Sequence, residues 1–494
     1  MQRLSSFMSK QIINIINFVR GTEPRQEVDL LGTMEIQMKK LVELNLRGTF
    51  LFQYDALSNV VFVEMAKKYV EYFEFGLWIE LTRSCVTTAG AIWHGRDQEW
   101  DWHGNICTAV GYDPNEREKM ADTAMKKFKE AFGYYPKSVG AWAIDSVTLA
   151  HLERNYKISA ACVCKEQWGT DGYTLWGGYY GQAYYPSKNH FLCPAQTDAC
   201  QINIPVFRML GSDPVYQYDA GLDLLKGASE VQSVVTLEPV YKYAGGGVPE
   251  WVDWYFQENF NGKCLSFGYA QAGQENSFGW EAMKDGWLYQ MNKIKELADK
   301  KTLEVMTLNE AGEWYQENYK TTPPSAIVAE NDWRGQGRRS YWYSCKNYRI
   351  NLYFENDAFW IRDCFLFDEK NEDIYLKKAC VTEGYFFQNQ AVVDGNRNSG
   401  NGVRAGLFPI DKRTKMQVLT LAEPAWCDEG DGKATVIIPT EHFGDIKFIF
   451  AENNTTILLQ KNANDFELEA RSNPSLKIKK YKGSKLIRIG KLKI

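Results

Sequence analysis

Over the first 320 residues, short apolar runs alternate with longer segments whose apolar residues recur at helical spacing. Runs at 12–19, 49–52, 75–79, 139–144 and 158–164 have strand composition. Between them, segment 27–44 places Leu30, Leu31, Met34, Met38, Leu41 and Leu44 on one helical stripe, and 60–73 and 115–132 follow the same rule. Further on the spacing loosens, with strands expected at 202–207, 234–237, 264–269 and 303–307 and helices at 251–259, 284–300 and 308–317. Seven or eight strands alternating with helices predict an α/β unit, a (β/α) barrel. No G-x-G-x-x-G follows the first strand and no P-loop is present, which disfavours a nucleotide-binding open sheet. Beyond the TTPPS stretch at 321–325 the helical pattern stops. Short runs at 348–354, 358–363, 434–438, 446–450, 456–460, 476–481 and 485–489 predict an all-β region, a C-terminal β-sandwich. The expected division is a catalytic barrel over 1–322 and an accessory sandwich over 323–494. The basic tail from Lys477 alternates charge with apolar residues and reads as an edge strand whose lysines discourage further pairing.

Composition narrows the possible partners. The net charge of -5 leaves no basic footprint for nucleic acid, and no run of eighteen apolar residues exists to cross a membrane. Eleven cysteines fall without a C-x-x-C pair, which fits a reducing, cytoplasmic location; a secreted or periplasmic one would follow from a removed signal peptide. Aromatics make up 14% of the chain, with 16 Trp and 28 Tyr, and many cluster in glycine-rich loops. Such loops offer walls on which a sugar can stack and hydrogen-bond, so a carbohydrate is the expected partner. The oligomeric state is left open.

In parallel sheets the reacting groups sit where strands give way to loops. The strand-end acids are Glu23, Asp55, Glu80, Asp145, Glu238 and Glu275. Asp145 is the first candidate for a chemical role, although Asp145-Ser146 ahead of Val147 is equally good helix N-cap chemistry. Asp171 and Glu275 are candidate proton donors, with Thr170-Asp171-Gly172 also good turn chemistry, and Glu80 is a third contributor. Arg20, Glu23 and Arg25 read as an ion-pair network that orients the site. Lys165, Gln167 and Gln271 suit hydrogen bonds to sugar hydroxyls, as does Asp55. Trp102 and His103, and Trp176, Tyr179 and Tyr180, are expected to line the cleft. No cofactor is expected. The alternative is zinc or another divalent metal held by His94, Asp97, Asp101 and His103, within an insertion rich in tryptophan.

The stretch GAWAIDSVTLAHL at 140–152 resembles the nucleophile segment of family 38 α-mannosidases, and TLNEAGEWYQENYKTTPP at 307–324 resembles the closing segment of barrels in the wider glycoside hydrolase/deacetylase superfamily. The whole chain is similar to a two-domain family of uncharacterised gut-bacterial proteins. The resemblance implies a barrel followed by a β-sandwich, with Asp145 as nucleophile and a late-strand acid, Glu275, as proton donor. The histidines with which family 38 holds zinc are missing: the matching place is RGTEPR at 20–25. The metal-binding Asp-Asp pair of polysaccharide deacetylases is missing too. Together these features predict a glycoside hydrolase acting on an oligo- or polysaccharide through paired carboxylates. A metal-dependent carbohydrate deacetylase and a non-catalytic glycan-binding protein are the alternatives.

Overall fold

A computed structural model of the chain describes residues 9–164, 167–170, 173–222, 235–383, 385–386, 390–400, 402–472 and 486–489. Its first half is built on β1 (Lys10–Val19), β2 (Thr49–Phe52), β3 (Glu74–Trp78), β4 (Ser138–Gly140), β5 (Ala160–Cys164), β6 (Val206–Met209), β7 (Phe267–Ala272) and β8 (Glu304–Met306). These run parallel in the order β7-β1-β2-β3-β4-β5-β6. β8 also pairs with β1, and a short antiparallel strand, Ala183–Tyr184, pairs with β6. β1 is buried along nearly its whole length, as a strand covered on both faces must be.

The sheet curls but does not close. No ladder joins β6 to β7. Instead the Leu210 N–H donates to the Gln271 side-chain oxygen at 2.8 Å. Leu210 sits at φ +60, a left-handed conformation that turns the chain away just where a closing ladder would continue. The expected closed barrel is therefore corrected to an open, curled parallel sheet.

Helix ends follow local chemistry. Asp29 caps Leu30–Glu43, accepting from the Gly32 N–H. Asp113 with Glu116, and Thr307 with Glu310, form capping boxes on Pro114–Phe132 and Leu308–Asn318. The strand expected at 202–207 begins only at Val206, because Pro205 has no N–H to give a ladder. Of the run at 234–237, the described residues 235–237 contribute one isolated bridge, Thr236 to Ser212.

The C-terminal region is two antiparallel sheets. One runs Ser325–Ala329, Arg338–Ser344, Tyr348–Glu355, Ala358–Leu366, Gly406–Asp411 and Met416–Gln417, with Gln390–Val393 and Phe466–Arg471 alongside. The other runs Ala425–Gly430, Lys433–Thr440, Gly444–Ala451, Asn454–Leu459 and Leu486–Ile489. Leu486–Ile489 ends its sheet, so the described part of the basic tail is an edge strand. Tyr341, Tyr343, Ile350 and Leu352 share a core with Val436, Ile446 and Phe448 of the second sheet, whereas Trp342, Tyr353 and Trp360 join the core of the first half. The first of these sheets is thus buried on both faces, and the apolar/polar alternation that marks a half-exposed strand is lost. That is why Arg338–Ser344 carried no readable strand signal. Tyr180 stacks on Trp342 with ring centroids 3.6 Å apart, fastening this sheet to the first half.

Candidate functional site

Four neighbouring strands, β7, β1, β2 and β3, end at one place. Arg20 directly follows β1, Gln53 follows β2, Glu80 lies two residues past Trp78 at the end of β3, and Glu275 lies three past β7. The Arg20 guanidinium is the hub. Its Nε and Nη2 donate to the two Glu80 oxygens at 3.0 Å each, a bidentate pair. Nη1 lies 3.4 Å from Glu23 Oε2, 3.4 Å from Glu275 Oε1 and 3.2 Å from Ser277 Oγ. The side chains of Arg20, Glu23, Glu80 and Glu275 are all at least 96% buried, their exposures being 1%, 1%, 2% and 4%. Glu80 is further held by Trp78 Nε1 at 3.0 Å; because Trp78 and Glu80 are two residues apart on an extended chain, they share a face. Arg25 grips Glu23 with two bonds of 2.8 Å. Trp100, from the insertion after β3, lies over Arg20 at 4.0 Å and under Arg25 at 4.8 Å.

Three carboxylates face two guanidiniums, so one proton neutralises the set. Burial pushes Glu275 up to about 7; Arg20 pulls it down, and the neighbouring Glu80 charge raises it again. Burial works on Glu23 in the same sense, but hydrogen bonds from Arg25 and the Arg20 charge hold it below the usual carboxylate range. Glu275 Oε2 lies 3.1 Å from Arg20 Nη2, out of line for an N–H to reach it, and has no hydrogen bond among the described residues. Three more buried polar atoms beside this cluster lack a protein partner among the described residues: Gln53 Oε1, Trp100 Nε1 and Trp142 Nε1. Gln53 touches Glu80 through its amide nitrogen, and Trp142 packs on Trp78 and Phe18 at 5.2 Å each. Two donors, one acceptor and an acid are what the hydroxyls of a polyol would satisfy.

The other sequence-predicted residues lie as follows. Asp145 caps helix Ser146–Asn155: Oδ1 accepts from the Val147 and Thr148 N–H groups and from Arg117 Nη1 at 3.1 Å, and Oδ2 accepts from Thr148 Oγ1 at 2.6 Å. The buried Asp373, from the C-terminal region, lies near enough for the Asp145 charge to raise it; burial is the larger cause, and it reaches about 6. Asp55 ties down the turn after β1 through Gly21 N and Thr22 Oγ1, and burial lifts it to about 6. Glu238 is buried and accepts from Thr236 Oγ1. Gln271 spends its amide on Leu210, Ala272 and Ile16 backbone groups. Trp176, Tyr179 and Tyr180 are buried against the C-terminal region, bonded to Asp394, to Ser325 and the Pro323 carbonyl, and to Gln217 respectively. Asp171 and Lys165 lie outside the described residues, and of Gln167 only the backbone, in strand Gln167–Thr170, is described.

In the insertion, Asp101 is gripped by Arg96 at 2.8 and 2.9 Å and by His103 Nδ1 at 2.6 Å, bonds that outweigh burial and lower its pKa. Asp97 points to solvent beside Arg83, and His94 packs on Tyr112. Among the described residues no three His, Cys, Asp or Glu side chains converge as a metal-holding set. Trp102 stacks under Arg96 at 3.4 Å, forming with Arg25 and His103 the outer layer over Trp100.

Asp145→Ala is expected to lower stability by about 3–5 kcal/mol, because it removes a cap and takes from buried Arg117 the carboxylate it is hydrogen-bonded to. Urea unfolding measures this, and a loss below about 1 kcal/mol would show that the ion pair matters little. The roles of Trp78 and Gln53 were missed in the sequence. The Trp78-Ile79-Glu80 spacing was the available signal for the first; for Asp373, 228 residues away from Asp145 in the numbering, there was none.

A family model described as "Domain of Unknown Function with solved-structure structure (DUF3863)" matches residues 105–353. No curated protein matches. A crystal structure from Parabacteroides distasonis, described provisionally as a glycoside hydrolase/deacetylase, is 17% identical, covers 76% of this chain and 88% of its own, and superposes with a TM-score of 0.54. It shares the fold. A protein of Mycobacterium smegmatis, described provisionally as a polysaccharide deacetylase, is 12% identical over 63% of this chain and 91% of its own, at a TM-score of 0.36. A GH57-type branching enzyme from Pyrococcus horikoshii is 12% identical over 64% and 71%, at 0.33.

Proposed function

We propose that this chain, which belongs to the DUF3863 family, is a carbohydrate-active hydrolase that cleaves glycosidic bonds of an oligo- or polysaccharide at the Arg20 cluster. The observation that carries this is the pairing of two buried carboxyl groups driven apart in pKa on one guanidinium: Glu275 held up to about 7 with an unbonded oxygen, and Glu23 held ionised. Environments that separate two acids in this way assign the proton donor and the charged partner.

Glu275 is the general acid, giving its proton to the departing glycosidic oxygen. Glu23 is the charged partner at the sugar's anomeric carbon, where water, either activated by Glu23 or cleaving a glycosyl ester formed with it, supplies the oxygen of the new hydroxyl. Both lie 3.4 Å from the same Nη1, so the facing oxygens are within twice that distance, compatible with the paired mechanism. Glu80, with both oxygens bonded to Arg20 and one to Trp78, is a positioning residue. Trp142 and Trp100 N–H groups and the Gln53 oxygen take sugar hydroxyls, and the Phe18, Trp78 and Trp142 rings supply an apolar floor. Arg25, whose side chain is 32% exposed, is the movable piece: swinging it aside opens Glu23 to substrate. The fold shared with the Parabacteroides protein supports a carbohydrate substrate.

The test is release of reducing ends from a panel of glycans by the purified protein, with free acetate measured in parallel. Reducing ends are expected. Acetate without reducing ends would replace glycoside hydrolysis with deacetylation, and neither product, with glycan retained on the protein, would reduce the site to a binding one.

A further inference from the structure

Arg20 and Glu275 come from different strands, and their chains must be held in step. The ladder between β1 and β7 ends at Ile15 and Ala272. From Ile16 onward β1 pairs with β2, and β7 gives way to Gly273 at φ +111. Arg20 and Glu275 lie beyond the end of that ladder. Side-chain amides take its place. Asn17 Oδ1 accepts from the Gln274 N–H at 3.2 Å. Asn276 does more: its Oδ1 accepts from the Arg20 N–H at 2.9 Å, and its Nδ2 donates to the Arg20 carbonyl at 2.9 Å. One primary amide thus meets both main-chain groups of one residue, the pairing that a neighbouring strand would supply.

The same Nδ2 also donates to the Leu30 carbonyl at 3.1 Å. Arg20 and Leu30 bound the loop that carries Glu23 and Arg25. Asn276 is fully buried, so these three bonds are made out of reach of bulk water. The loop has two further ties. Gly21 and Thr22 are fastened to Asp55, beyond β2, and Gln26 Nε2 donates to the Ser277 carbonyl at 2.8 Å. On either side of Asn276, Glu275 reaches the Arg20 guanidinium with its carboxylate and Ser277 with its Oγ, at 3.2 Å. Three consecutive residues therefore grip one arginine, and the middle one holds its main chain.

We propose that Asn276 is a positioning residue, which fixes the Arg20 hub and the loop bearing Glu23 at a set distance from Glu275. The inference rests on the reading of Glu275 as proton donor and Glu23 as its charged partner. A paired mechanism depends on the separation of its two carboxyl groups, and a misplacement of about 1 Å costs about 10²-fold in rate. Loosening the clamp also has an electrostatic effect of defined sign. Burial raises the Glu275 carboxyl, Arg20 lowers it, Glu80 raises it, and Arg25 and Ser277 lower it. Glu23 sits on the same guanidinium, 3.4 Å from Nη1. Releasing Arg20 weakens the largest of the lowering effects, so the Glu275 midpoint moves up.

Asn276→Ala removes the clamp, and Asn276→Ser removes part of it, because a serine hydroxyl is too short to span the Arg20 N–H and carbonyl together. Two measurements on the full chain test the proposal. One is kcat and KM on a glycan that the wild type cleaves. The other is an NMR titration of isotope-labelled glutamate carboxyls, in which the Glu275 signal is the one absent from Glu275→Gln. Asn276→Ala is expected to lower kcat by about 10²-fold with KM little changed, and to raise the Glu275 midpoint from about 7. Asn276→Ser should move both in the same direction by less. A loss of stability alone would leave the midpoint of the folded protein where it was. If Asn276→Ala does not fold, Asn276→Ser decides. An unmoved Glu275 midpoint, or a wild-type kcat in the folded variant, overturns the proposal. A wild type that releases no reducing ends defeats the hydrolase reading instead, and the titration, which needs no substrate, still decides whether Asn276 sets the spacing.

Discussion

Glu275→Gln lowers glycosidic cleavage by about 10²–10⁴-fold, the range spanned by loss of a general acid, while the protein stays folded. Gln keeps the shape and one acceptor oxygen but carries no transferable proton. In the wild type the rate should fall as pH rises through about 7, where Glu275 gives up its proton, and this limb should vanish from whatever activity the variant retains. Stability offers a readout independent of substrate. A carboxyl whose folded pKa, about 7, exceeds its ordinary value of 4.5 binds its proton more tightly when folded. Its contribution is therefore fully present below about 4.5 and is lost as pH rises through about 7. The variant has no such loss, so its urea midpoint should decline less than that of the wild type across this window. A variant with undiminished activity and an unchanged pH profile would remove Glu275 from the chemistry.

Arg20→Met costs about 3–5 kcal/mol of stability at neutral pH, the amount typical of removing one partner from a buried ion pair. The methionine fills similar space, but Glu80 loses its bidentate partner and Glu23 and Glu275 lose the charge they share. Trp100 also loses the cation on which the insertion packs. Acid should restore part of the loss, because protonating the carboxylates removes their need for a counter-charge. Chemical denaturation at pH 5 and pH 8 measures both effects. A cost under about 1 kcal/mol, equal at the two pH values, would mean the cluster is open to water and is no preorganised site.

Several of these groups were visible in the chain. Arg20, Glu23, Glu80 and Glu275 could be named because each follows an apolar run, and parallel strands deliver such residues to one end of a sheet. The Arg20, Glu23 and Arg25 network was readable from six consecutive residues. The ranking among them was not. Asp145 headed the candidates on its motif, yet its two oxygens take four hydrogen bonds from a helix start and Arg117. The aromatic loop residues Trp176, Tyr179 and Tyr180, read as cleft lining, pack against the C-terminal region instead. A stacking surface for a sugar and one for another protein sheet have the same composition, so only the neighbour distinguishes them.

The amino-acid pattern alone settled the alternation of strands and helices up to about residue 320 and the all-β region beyond, because these depend on neighbours within a few residues. Tertiary structure alone decided that the parallel sheet stays open at Leu210, that one later sheet is buried on both faces, and that Glu275 is the acid of the Arg20 cluster whose pKa burial raises. The physical reason is common to all three. Ladder closure, two-sided burial and a carboxyl's pKa depend on groups brought together from positions up to hundreds of residues apart, and no local period in the chain encodes that encounter.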